Sequence, residues 1–82
     1  MNWTIKEKKL ERNYVFNNFN EVIEFVNKIA EIAEETNHHP DMLIHSYKEM
    51  KIMISTHNQE KITEKDYELA ERIDSIKDTN QQ

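Results

Sequence analysis

Between Phe19 and Ala33 the chain repeats apolar residues at the spacing of one helical face: Phe19, Val22, Ile23, Val26, Ile29, Ala30 and Ala33. No other stretch constrains the fold as much, because a helix with one apolar face must lay it on a partner surface. Phe25 and Ile32 widen that face, so the helix is expected to pack on a sheet and to touch something further. Asn18 or Asn20 can cap its start. Asn37 suits a left-handed position just past its end, and Pro40 cannot continue it, so the helix is predicted to stop at about Thr36.

The flanks read as strands. Trp3-Thr4-Ile5-Lys6 alternates apolar and polar residues, and Tyr14-Val15-Phe16 is aromatic and β-branched. The charged segment Glu7 to Arg12 between them predicts a hairpin turn. After the helix, Met42, Leu43, Ile44 and Tyr47 form one short run. Met50, Ile52 and Ile54 alternate with Lys51, Met53 and Ser55 in a second, with Tyr47-Lys48-Glu49 as the turn between them. A last helix is predicted from Thr63, where Thr63-Glu64-Lys65-Asp66 resembles a capping box with Asp in place of Glu. Its apolar face is Tyr67, Leu69, Ala70, Ile73 and Ile76. The chain has no glycine, so Asn13, Asn17, Asn18 and Asn58 are expected to take any unusual turn dihedrals.

The order β-β-α-β-β-α predicts an α+β fold, a four-stranded antiparallel sheet with two helices packed on one face. Residues 1–76 are expected to form a single domain, and 77–82 a frayed polar tail. With 82 residues the chain holds one domain, and its apolar content of 37% lies below the roughly 45–50% usual for globular proteins. Having no cysteine, it cannot use disulfides to compensate, so self-association is the expected way to cover more apolar surface. A net charge of −5 argues against nucleic acid as a partner, which calls for a basic face. No apolar run approaches the ~20 residues of a membrane span and no signal-peptide pattern opens the chain, so a cytoplasmic location is expected, with no membrane partner.

Three of the four histidines fall at informative places. His38 and His39 follow the predicted helix end, and His57 follows the last strand. Glu34 lies one turn before His38, and Asp66 in the first turn of the last helix. Histidine exchanges protons near neutral pH, so such a set beside carboxylates suits proton transfer without a nucleophile. Surface histidines without a role, and a metal site, are the competing readings. The metal reading is weakened because adjacent side chains on an extended segment diverge, and Pro40 biases His39 toward extended backbone. The i, i+4 helical histidine pair typical of metal sites is also missing. His45 is expected at the surface. No Gly-rich phosphate loop, cysteine nucleophile or nucleophile-elbow serine is present.

The pattern runs Glu34, three residues, His38-His39-Pro40, six residues, Tyr47, nine residues, His57, eight residues, Asp66. It resembles the signature of the pterin-4a-carbinolamine dehydratases, and the similarity extends from about Trp3 to Asp74. The resemblance implies dehydration of a 4a-hydroxytetrahydropterin to the quinonoid dihydropterin, which recycles the cofactor of aromatic amino acid hydroxylases. It implies that His38, His39 and His57 line the pterin site and share the acid/base work. Glu34, Pro40 and Asp66 would orient the histidines or bind the pterin. The pterin is the substrate; no metal and no cofactor is implied, and the assembly is expected to be a homodimer or homotetramer. A non-catalytic protein-binding or dimerisation module on the same fold is the alternative, with Phe25 and Ile32 as the expected exposed stripe. The chain departs from the family in three places. Many members carry a helix ahead of the tryptophan, whereas this chain begins almost at Trp3, which is expected to alter subunit assembly. Met42 stands where an aromatic is common, and Asn58-Gln59-Glu60-Lys61 replaces a turn that often contains glycine.

Overall fold

A computed structural model describes residues 2–56 and 61–80. The elements follow the predicted order: β1 (Thr4–Lys6), β2 (Lys9–Val15), α1 (Phe19–Thr36), β3 (Asp41–His45), β4 (Glu49–Ile54) and α2 (Glu64–Asn80). The four strands form one antiparallel sheet in the order β1-β2-β4-β3. Period-two alternation explains its two faces. Leu10, Tyr14, Met50, Ile52 and Ile54 are buried beneath both helices, together with Val22, Phe25, Ile29 and Ile32 of α1 and Leu69, Ala70 and Ile73 of α2. The opposite face carries the alternate residues and is mostly polar, with Lys51 paired to Glu11 at 3.4 Å and Lys9 to Asp41 at 3.6 Å, though Val15 and Leu43 are exposed on it. Half-buried His45 belongs to that polar face, its Nε2 2.6 Å from Asn13 Oδ1.

The first hairpin differs from the prediction. β2 starts at Lys9, and only Glu7 and Lys8 form the turn, with φ of 51° and 65°. Charge in Lys9–Arg12 does not signal a loop, because Lys9 and Glu11 occupy the polar face while Leu10 is fully buried. The tight two-residue connection demands left-handed backbone, which usually selects asparagine and glycine. Here the pairing of Ile5 with Leu10 and Lys6 with Lys9 imposes it on glutamate and lysine instead, at about 1–2 kcal/mol per residue. The second hairpin turns at Ser46-Tyr47-Lys48, one residue earlier than predicted, with positive φ at Ser46 and Tyr47. Asn13, Asn17 and Asn18 do not take positive φ, and Asn58 lies outside the described residues. In the two hairpins, left-handed backbone thus sits where strand pairing requires it rather than where a side chain best tolerates it.

α1 begins and ends as predicted. Asn18 accepts a hydrogen bond from the Glu21 amide at its start, and Asn37 caps its end with φ 54° and ψ 39°. Its buried stripe, however, runs through Val22, Phe25, Ile29, Ile32 and Ala33. Phe25 and Ile32, expected to be left over as an exposed stripe, are 0% and 8% exposed, whereas Phe19 is 48% exposed. The reason is the aromatic cluster on the sheet: Phe25 lies 5.1 Å from Tyr14 and 5.2 Å from Phe16, ring centre to ring centre, and these contacts set the helix rotation. α2 extends to Asn80, into the segment read as a polar tail, and Lys77 Nζ sits 4.8 Å from the centre of the Phe16 ring. Tyr67, expected on the apolar face of α2, is exposed; Asp66 is buried in its place.

Candidate functional site

The end of α1 fixes the first histidine. Asn37 turns left-handed, and both its amide and that of His38 bond back to the Ala33 carbonyl, the latter at 3.1 Å. This satisfies the helix end and sends His38 off the helix axis toward α2. The His38 ring is only 14% exposed, and its Nε2 lies 2.6 Å from Oδ1 of Asp66, which is fully buried.

Asp66 is placed by the start of α2. Its Oδ2 accepts the Thr63 amide at 2.7 Å, which is the reach-back half of the predicted capping box. The same oxygen accepts the Thr56 hydroxyl at 3.0 Å, and Thr56 and Thr63 hydroxyl oxygens are 2.8 Å apart. A buried carboxylate is costly unless it is paired and hydrogen-bonded; these partners, from just after α1, just after β4 and just before α2, meet that requirement.

His39 takes the other direction. Its half-exposed ring places Nε2 2.5 Å from Oε2 of Glu34, itself on the surface. Glu34 therefore serves His39, not the neighbouring His38, because the left-handed Asn37 breaks the helical continuation that would have brought His38 above Glu34. The two imidazoles diverge as predicted, each with one ring nitrogen on a separate carboxylate. Pro40 follows, half-buried, directly before β3. Tyr47 stands apart in the β3–β4 turn and is exposed. His57 lies outside the described residues.

A cleft of about 200 Å³ opens beside His38, lined by Thr36, Lys65, Glu68, Leu69 and Arg72 as well as the histidine. Arg72 spans it to Glu35 of α1 at 3.4 Å. An imidazole with one nitrogen anchored and the other without a partner among the described residues, at the edge of a cleft, is equipped for proton transfer. Sequence reasoning singled out His38, Glu34 and Asp66 but missed Thr56. That residue's only signal was its place beside His57, and its contact depends on β4 ending against the start of α2.

A sequence profile of the family described as pterin 4 alpha carbinolamine dehydratase matches residues 1–76. A protein of Sulfolobus acidocaldarius, provisionally named a pterin-4-alpha-carbinolamine dehydratase, is 43% identical over 90% of this chain and 80% of its own length. Among solved structures, one described as a transcriptional coactivator/pterin dehydratase from Brucella melitensis matches with a TM-score of 0.86 and 25% identity, over 92% of this chain and 81% of that one. Another, described as a pterin dehydratase-like RuBisCO assembly factor of the alpha-carboxysome, shares the fold with a TM-score of 0.72 at 20% identity, over 89% and 83%. With the predicted order of elements in place, the family profile over residues 1–76 and the 43% identity to the Sulfolobus protein decide the family: the chain belongs to the pterin 4 alpha carbinolamine dehydratases.

Proposed function

We propose that this chain is a hydro-lyase that converts a 4a-hydroxytetrahydropterin to the quinonoid dihydropterin by histidine acid/base catalysis. The observation that carries the reading is His38, held on the buried Asp66 at the edge of a cleft, with His39 held on Glu34 beside it. In the reaction the C4a–O bond breaks, the hydroxyl leaves as water after taking a proton from an acid, and N5 loses its proton to a base as the N5–C4a double bond forms. Nothing is oxidised or reduced, and two or three imidazoles suffice. His38, His39 and His57 share the proton transfers; Glu34 and Asp66 orient the rings, and Pro40 shapes the segment between them. The pterin is the substrate, and neither a metal nor a further cofactor takes part.

The family's part in recycling the tetrahydropterin cofactor of aromatic amino acid hydroxylases comes with this reading, as does a cytoplasmic homodimer or homotetramer. No helix among the described residues is long and apolar enough to cross a membrane. Phe25 and Ile32 lie in the core, so the stripe expected to serve either self-association or the alternative, a non-catalytic protein-binding module, supports neither.

The test is turnover of a freshly generated 4a-carbinolamine, followed by absorbance against the uncatalysed dehydration. Wild type is expected to accelerate the loss of the carbinolamine, and His38→Ala and His57→Ala each to lower kcat by about 10²–10⁴-fold, the usual worth of a positioned acid or base. Wild-type protein that matches buffer alone would refute the reading.

A further inference from the structure

We propose that Thr56 and Thr63 are positioning residues that, through Asp66, hold neutral His38 as the tautomer with hydrogen on Nε2, so that it meets a substrate only through Nδ1. A threonine hydroxyl has one hydrogen to give. Thr56 directs its hydrogen to Asp66 Oδ2, so in the 2.8 Å contact between the two hydroxyls Thr63 must be the donor and Thr56 the acceptor. Oδ2 then receives two donors, the Thr56 hydroxyl and the Thr63 amide at 2.7 Å. Oδ1 is left facing His38 Nε2 at 2.6 Å. A proton shared between a carboxylate and an imidazole resides on the nitrogen, the stronger base. Nε2 is therefore the protonated atom, and Nδ1 makes no hydrogen bond among the described residues.

A helix cap alone does not account for this arrangement. The cap needs only the bond between Asp66 and the Thr63 amide, which a solvent-exposed carboxylate also supplies. Complete burial of Asp66, the second donor from Thr56 just after β4 and the histidine on its far oxygen are additional. Thr56 also precedes His57 directly, so one carboxylate ties the ring of His38 to the segment that carries His57. The Thr56 hydroxyl and the Thr63 amide hold the carboxylate in the orientation that keeps an oxygen against His38 Nε2.

The kinetic part of this inference rests on the dehydratase reading, and the structural part does not. The test is therefore ¹⁵N-histidine NMR of the ligand-free protein, paired with turnover of the carbinolamine. In wild type at a pH where His38 is neutral, Nε2 is expected to resonate as a pyrrole-type and Nδ1 as a pyridine-type nitrogen. Thr56→Val, nearly isosteric, is expected to shift both signals toward the tautomer average and to lower kcat by about ten- to a hundredfold, the worth of one hydrogen bond to a charged group, with KM little changed. Thr56→Ser restores both readouts, which a loss of packing would not allow. Thr63→Val has the same sign and a smaller size. Hydrogen on Nδ1 in wild type, or unchanged His38 signals in Thr56→Val, would overturn the proposal. If Thr56→Val fails to fold, the tautomer in wild type and the match between wild type and Thr56→Ser decide it. An inactive wild type with the expected tautomer would refute the dehydratase reading and leave the positioning role standing.

Discussion

Asp66 and Asp74 lie on the same helix, about 12 Å apart along its axis, and both carboxylates gather donors from distant parts of the chain. Asp66 is buried and holds the His38 ring, the Thr56 hydroxyl and the Thr63 amide. Asp74 is partly exposed and holds the Trp3 indole at 3.0 Å, Arg12 at 2.7 Å and the Tyr14 hydroxyl. Indole, phenol and guanidinium do not exchange protons near neutral pH, whereas imidazole does. The Asp74 end can therefore only fasten α2 to the first hairpin, and the Asp66 end can also present a proton-transfer group to a cleft. What marks a site here is the chemistry of the carboxylate's partners, not the density of its hydrogen bonds.

The largest effect is expected from Asp66→Asn. The amide oxygen can still accept from Thr63 and Thr56, and its NH₂ group then faces His38 Nε2 as a donor. That forces hydrogen onto Nδ1, the reverse of the wild-type tautomer. A histidine with the wrong nitrogen protonated is a poor proton-transfer group, and kcat is expected to fall about 10²–10⁴-fold in the carbinolamine assay. ¹⁵N NMR of the same variant should show the exchanged tautomer. Asp66→Ala removes the acceptor altogether and is expected to cost about 3–5 kcal/mol in urea unfolding, the size of a broken buried pair.

Asp74→Ala should separate the two ends. It is expected to cost about 2–3 kcal/mol, discounted for partial exposure, and to lower Tm by roughly 10–20 °C in a domain of this size. At temperatures where the variant stays folded, kcat should match wild type. A kcat loss comparable to that of Asp66→Asn would show that the two ends are not independent. Trp3→Phe asks the same question more gently. It keeps an aromatic ring beside Tyr14, where Trp3 packs edge-on at 6.2 Å, and removes the indole donor with part of the buried ring. An unfolding cost of about 1 kcal/mol is expected. Since Trp3 is the chain's one tryptophan, its fluorescence in wild type reports on the Asp74 end alone.

The two ends also differed in how much the sequence revealed. Asp66 was legible because its partners leave local marks: Thr63 stands three residues before it in a capping pattern, and His38 precedes a helix-stopping proline. Asp74 was not, because Trp3, Arg12 and Tyr14 are 60 to 71 residues away and meet it only when α2 crosses the hairpin. Arg12 was further hidden by the charged run that read as a turn and is strand from Lys9 on. The rotation of α1 escaped for a related reason. Its apolar residues cover more than one face, and only the position of Tyr14 and Phe16 on the sheet decides that Phe25 rather than Phe19 is buried. The order of elements, both ends of α1 and the start of α2, which depend on alternation and capping within a few residues, were readable.

The smallest effect is expected at the exposed counterpart of the Asp66 pair. Glu34 and His39 make a contact as short as that of Asp66 and His38, yet Glu34 is 78% exposed and its ring partner about half so. Water can solvate either group when the contact opens, and salt screens their attraction. Glu34→Gln is therefore expected to change unfolding free energy by less than about 0.5 kcal/mol. Its effect on kcat/KM should stay within about fivefold, the kinetic equivalent of roughly 1 kcal/mol. Raising the salt concentration should reduce the difference between wild type and Glu34→Gln, and should leave the difference between wild type and Asp66→Asn intact. If Glu34→Gln instead matches Asp66→Asn in lost activity, Glu34 touches the substrate itself, since orientation of a solvated ring cannot account for a loss that large.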